Sequence, residues 1–198
     1  MKATYKGFEA KKSGGFVSLP PVGAYVAQIQ DVRTDEQFDH QVIEMKIEIT
    51  EGEYENRFSE VYKDQDERFG NAKYKCVFRL IAPNENDEDW RRSSFEGNLW
   101  AIEESNSGYH WDWDEKKLKG KKVGISIRKR LYTGQDKDGN PVDRETVEIG
   151  RLESVDDVKA GKVKPMKERD QRKKHEDSDN STDGSEFTDV SKDVAVPW

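Results

Sequence analysis

The sequence predicts a mainly β protein: five antiparallel strands with a helical insert between the third and fourth, then a disordered acidic tail. Three observations carry this. Apolar residues alternate with polar ones in several short runs, the mark of half-buried strands. A stretch near the middle changes to helical spacing. Charge is segregated: residues 175–198 hold seven acids and one base, while the first 174 residues hold 33 bases and 34 acids. Charged residues make up 38% of the chain and the hydrophobic set only 32%. That is too little apolar surface to fold every segment against the entropy of ordering it.

Residues 1–21 read as an N-terminal arm, punctuated by Gly14-Gly15 and Pro20-Pro21, with Phe8 and Phe16 available to pin it to the body. Residues 22–161 read as the folded domain. Tyr25, Ala27 and Ile29 alternate on a first strand. Ile43, Met45, Ile47 and Ile49 alternate more cleanly with Glu44, Lys46 and Glu48, which predicts a second strand with one wet face. After the turn at Thr50-Glu51-Gly52-Glu53, Tyr54 to Lys63 reads as a third strand. Tyr74, Val77, Phe78 and Ile81 stand at helical spacing, and Pro83 ends that segment. Ser93 and Glu96 form a capping-box pattern ahead of a helix carrying Phe95, Leu99, Trp100 and Ile102, which Asn106-Ser107-Gly108 stops. Val123, Ile125 and Ile127 mark the fourth strand. Thr133 to Pro141, with Asp138-Gly139-Asn140, is a hairpin connection to a fifth strand over Val142 to Leu152. Ser154 and Asp157 predict a last short helix ending at Gly161. Three strands, a helical insert and two more strands is the order of an OB-fold, a five-stranded antiparallel barrel. Residues 162–174 form a strongly basic linker, and 175–198 a disordered acidic tail ending in Trp198.

Several function classes are excluded or weakened at this level. One cysteine, Cys76, makes neither an intrachain disulfide nor a thiolate zinc site; it reads as a buried small hydrophobe in a reducing compartment. No apolar run approaches a membrane span, and the N-terminus lacks the apolar core of a signal peptide, so the chain is expected to be cytoplasmic. Asn180-Ser181-Thr182 matches a glycosylation acceptor that has no secretory route to it. The histidines His40, His110 and His175 are far apart, and no Gly-rich phosphate loop is present. Asp136, Asp138 and Asn140 resemble the start of a calcium loop, but position twelve is Val147, so they read as a polar turn. No cofactor, metal or catalytic residue is expected.

What remains is aromatic residues interleaved with bases. Single-strand binding needs flat apolar surfaces for stacking and cations along the backbone path. The stacking candidates are Tyr109, Trp111, Trp113, Phe58, Tyr62 and Tyr132; the phosphate partners are Arg57, Lys63, Lys73, Lys75, Arg128, Lys129 and Arg130. Trp111 and Trp113, two apart, would share one face of a strand. The tail supplies a second element: Asp189, Asp193, Val196, Pro197 and Trp198 form an acidic-then-apolar end suited to a basic-rimmed apolar pocket on a partner protein.

Tyr5-Lys6-Gly7-Phe8, Gly14-Gly15-Phe16, Leu19-Pro20-Pro21-Val22-Gly23-Ala24-Tyr25 and Glu51-Gly52-Glu53-Tyr54 resemble the opening of a family of small phage single-stranded DNA-binding proteins. The tail is similar in kind to that of bacterial single-stranded DNA-binding proteins, with Trp198 where those end in phenylalanine and Val194-Ala195-Val196 in place of the last acids. The resemblance implies an OB-type fold, non-specific binding of single-stranded DNA in phage replication or recombination, and recruitment of partner proteins by the tail. A homodimer is compatible with this organisation. The alternative is a protein–protein adaptor or inhibitor acting through the acidic tail; a metal-dependent nuclease using the scattered carboxylates is a distant third.

Overall fold

The computed structural model describes residues 16–37 and 39–172. In chain order the elements are β1 (Gly23–Gln37), β2 (His40–Ile49), α1 (Arg57–Phe69), β3 (Val77–Ile81), α2 (Asp89–Glu104), β4 (Lys122–Gln135), β5 (Pro141–Glu153), α3 (Val155–Lys159) and β6 (Arg169–Gln171). A 3-10 turn at Glu115–Leu118 precedes β4. The protein is mainly β, with one mixed sheet ordered β3-β2-β1-β4-β5 and β6 added alongside β4. All pairings are antiparallel except β6 on β4. Among the described residues no ladder joins β3 to β5, so the sheet is open there, although the two strands approach each other. Helix α2 fills the gap: Leu152 N–H on β5 donates to Asn98 Oδ1 at 2.9 Å.

The alternation of apolar residues sets which face is inside. Ala27, Ile29, Ile43, Met45, Ile47, Ile49, Val123, Ile125, Ile127 and Leu152 bury their side chains together under α2. The opposite face of β2 is not wet. Val42, Glu44 and Glu48 are also buried. Glu44 is held by Arg79, its cross-strand partner, at 2.6 Å. Glu48 accepts hydrogen bonds from the backbone of Ile49, Phe58 and Ser59 and from the hydroxyls of Ser59 and Tyr74. A buried carboxylate is tolerable only with such a full set of donors.

Glu48 also explains why Tyr54 to Lys63 is not a strand. Its carboxylate satisfies the free N–H groups of Phe58 and Ser59 in the first turn of α1, the job of an N-cap side chain. The residue at the cap position, Asn56, sits in the left-handed region (φ 59°) and makes no side-chain cap. The stabilising group comes from a neighbouring strand, and Phe58 and Val61, three apart, point inward. The helical reading of 71–81 is reversed as well. Tyr74, Cys76, Phe78, Leu80 and Ala82 are all buried while Lys73, Lys75, Arg79 and Ile81 are exposed, so period two prevails and β3 is the third strand. Helix α2 starts at Asp89, a turn before Ser93, so Ser93 and Glu96 form no cap. It ends at Glu104, just ahead of Asn106, whose side-chain amide donates to Ile102 O and Lys122 O. The β4–β5 hairpin and the Ser154 cap on α3 (Asp157 N–H to Ser154 Oγ, 3.1 Å) match their sequence signals. Cys76 is buried, and desolvation pushes its thiol well up. The basic segment 162–172 contributes β6 at its end. No described helix is long and apolar enough to cross a membrane.

Candidate nucleic-acid interface

Strand β1 pairs with β4 only as far as Ile127. Beyond it, β4 and β5 run on as a two-stranded hairpin to Gln135 and Pro141, and β6 takes the vacated edge of β4 at Arg130–Tyr132. Side chains alternate across a strand, so Arg128, Arg130 and Tyr132 lie on the face opposite Ile125 and Ile127. The registers Arg128↔Glu148, Tyr132↔Arg144 and Arg130↔Arg169 bring residues of three strands to that face.

One carboxylate organises it. Glu148 Oε1 lies 2.7 Å from Arg128 Nε and 3.8 Å from Arg169 Nη1, and its Oε2 lies 3.8 Å from Arg130 Nε. Three guanidinium groups thus converge on one carboxylate at a half-buried surface. The Arg130 guanidinium also stands 5.4 Å from the centre of the Tyr132 ring. The preceding chain crosses β5 at Gly150: a Cβ there would collide with Met166 Sδ and come within 3.2 Å of Arg128 Cδ. Lys164 and Lys167 flank Met166 and are exposed. Lys129 faces the other way and pairs with Glu145 at 2.6 Å. At the hairpin tip the Asp136 carboxylate accepts from the N–H groups of Asp138 and Asn140, which holds it below the usual carboxylate range, Asn140 contributing most. That is a turn closure, and among the described residues no group of three or more His, Cys, Asp or Glu could hold a metal ion.

The aromatic candidates are elsewhere. Residues 109–114 form no strand. They run beside α2: Trp111 N–H donates to Glu103 at 2.7 Å, and the Trp113 ring stacks on Phe95 with centroids 6.0 Å apart. Trp113 sits at φ 66°, a conformation unfavourable for so large a side chain, and is 68% exposed. Trp111 is half-buried beside it, ring centroids 6.0 Å apart. Tyr109 is buried with Lys121 4.2 Å from its ring, and burial, then Asp112 and Glu103, pushes its hydroxyl up to about 12.

The other sequence candidates divide. Phe58 is 3% exposed and packs near Tyr74, so it is core and cannot stack on a base. Tyr62 is half-buried 6.1 Å from the same ring. Arg57 opens α1, 3.4 Å from Glu60 and 5.4 Å from the Tyr54 ring. Lys63, Lys73 and Lys75 are exposed. They lie where β2 ends and β3 begins, the end of the sheet from which the hairpin projects. The structure therefore brings together Arg128, Arg130 and Tyr132 and separates them from Tyr109, Trp111 and Trp113. Asp189, Asp193, Val196, Pro197 and Trp198 lie outside the described residues.

Sequence reasoning missed Glu148, Arg144, Arg169 and Trp100. The first two were reachable by counting outward from the Asp138-Gly139 turn, which fixes the hairpin register. Arg169 was not, because nothing local announces a three-residue parallel strand. Trp100 was reachable: Phe95, Leu99 and Ile102 define one stripe of α2, and Trp100 lies off it, 54% exposed. No protein-family model matches the chain, and no curated protein matches it.

Proposed function

We propose that the chain binds single-stranded DNA without sequence preference, as a non-enzymatic protein of phage replication or recombination, and that its acidic tail recruits partner proteins. The observation that carries this is the cluster of Arg128, Arg130 and Arg169 about the single carboxylate of Glu148. A surface with more guanidinium than carboxylate, on a projecting hairpin, suits a phosphate backbone. Tyr132 gives it one aromatic ring for stacking, and Lys63, Lys73 and Lys75 extend the cationic path at the same end. The strand order supports an OB-type reading. Closing β3 onto β5 would turn β3-β2-β1-β4-β5 into the five-stranded barrel of that fold, with α2 in the usual place between β3 and β4. The β4–β5 hairpin would then be one of the loops that flank the binding face of such barrels.

Titration of a labelled oligo-dT at two salt concentrations tests the reading. The expected result is binding that weakens steeply with salt, with a log–log slope of roughly −0.7 per phosphate neutralised. Absence of binding at low salt, also after removal of residues 175–198, would overturn it. That outcome would favour the adaptor reading, which rests on the six net negative charges of the tail.

A further inference from the structure

A second surface has no place in that reading. On α2, Trp100 is 54% exposed, and Trp113 beside the helix is 68% exposed. Among the described residues, Trp113 rests on Phe95 and has Trp111 beside it. Viewed down the helix axis, Glu96 and Glu103 fall between Phe95 and Trp100, and Glu104 follows Trp100 by one turn. Glu96 and Glu104 are exposed and have no ion pair among the described residues. Three features mark this face as built rather than incidental. Trp113 is held exposed in a left-handed backbone conformation that bulky residues avoid. Gly97, three residues before Trp100, lies mid-helix, where glycine weakens a helix, yet a Cβ there would meet nothing within 4 Å. The Trp111 Nε1–H and the Tyr109 hydroxyl, in the segment that carries Trp113, are buried without a hydrogen-bond partner among the described residues.

The acidic rim disfavours a phosphate backbone and favours cations, which exposed indole faces also attract. The chain itself carries a matching segment. Residues 1–15 contain Lys2, Lys6, Lys11 and Lys12 against a single acid, Glu9, with Tyr5 and Phe8 between them. The segment precedes Phe16, the first described residue. Extended, it reaches about 50 Å, enough for any point on a domain of this size. We propose that residues 1–15 dock in cis on the Trp100–Trp113 face of α2, their lysines against Glu96, Glu103 and Glu104 and their aromatic rings in the notch at Gly97. This does not depend on nucleic-acid binding.

The test is 19F NMR of the full chain labelled with 5-fluorotryptophan, the signals assigned by single Trp→Phe variants. Deleting residues 2–15 is expected to shift the Trp100 and Trp113 signals and leave Trp90 in place. A synthetic peptide of residues 1–15, added to the shortened chain, should restore them. Glu96→Lys with Glu104→Lys, both exposed sites, should weaken peptide binding at least tenfold in low salt. Trp100 and Trp113 signals that respond neither to the deletion nor to the peptide would overturn the proposal. Signals that revert when the full chain is diluted, with dimers in sedimentation, would overturn docking in cis and assign the arm to a second copy.

Discussion

The β4–β5 hairpin and the α2 face carry the same residue types, charged side chains around aromatic rings, in opposite balance. On the hairpin, three arginines share Glu148 beside one tyrosine. On α2, two exposed tryptophans stand among glutamates. In the sequence these read as one aromatic-and-basic constellation, because Trp113 and Arg128 are only fifteen positions apart. The fold sends them to different surfaces. Interleaving along a chain is a weak guide to adjacency when a helix-to-strand connection intervenes.

The largest effect should come from reversing the hairpin charge. Arg128→Glu with Arg130→Glu is expected to lower oligo-dT affinity by about 100-fold or more at low salt and to flatten its salt dependence. Trp113→Ala should change affinity by less than about threefold. Fluorescence anisotropy reads both, and equal losses would merge the two surfaces again. Next comes Glu148→Ala. It leaves Arg128 and Arg130 without the carboxylate they share, so stability should fall by about 1–2 kcal/mol in urea denaturation. Oligo-dT affinity should rise, because the cations no longer have an internal competitor. A fall in affinity would mean that Glu148 matters chiefly as a scaffold. Gly97→Ala sharpens the contrast from the other side: it should stabilise the fold by about 0.5–1 kcal/mol and leave DNA binding unchanged.

The smallest effect is a pH dependence at Tyr109. Its hydroxyl ionises near 12 in the folded chain, above the ordinary value of 10, because burial disfavours the phenolate. The folded state therefore holds this proton more tightly than the unfolded one. The associated stability is fully present below pH 10 and is lost as pH rises toward 12. Tyr109→Phe should remove that part of the alkaline loss, as followed by denaturation at pH 9 and pH 11.5.

What the sequence revealed follows from how local each cause is. The β4–β5 hairpin was legible because Asp136, Gly139 and Asn140 close their own turn. The α3 cap was legible because Ser154 and Asp157 are three apart. Helix α1 was not, since its cap is Glu48 on β2, and Phe58 and Tyr62 suit a strand face as readily as a helix stripe. The stretch from Tyr74 to Ala82 supports both periods, and only pairing with β2 selects the strand. At the candidate site, Arg128 and Arg130 were visible as a charge run, but their partner Glu148 depends on register and Arg169 on a long-range crossing. Burial removed Phe58 and Tyr109 from the stacking candidates, which residue type alone does not decide.

The most direct test of the central claim is to titrate oligo-dT into uniformly 15N-labelled protein and follow the arginine Nε–H and tryptophan indole signals together. Binding on the hairpin predicts that the Arg128, Arg130 and Arg169 signals move at low salt while Trp100 and Trp113 stay. Movement of the two indoles with the three arginines silent would place the nucleic acid on α2 and contradict the account.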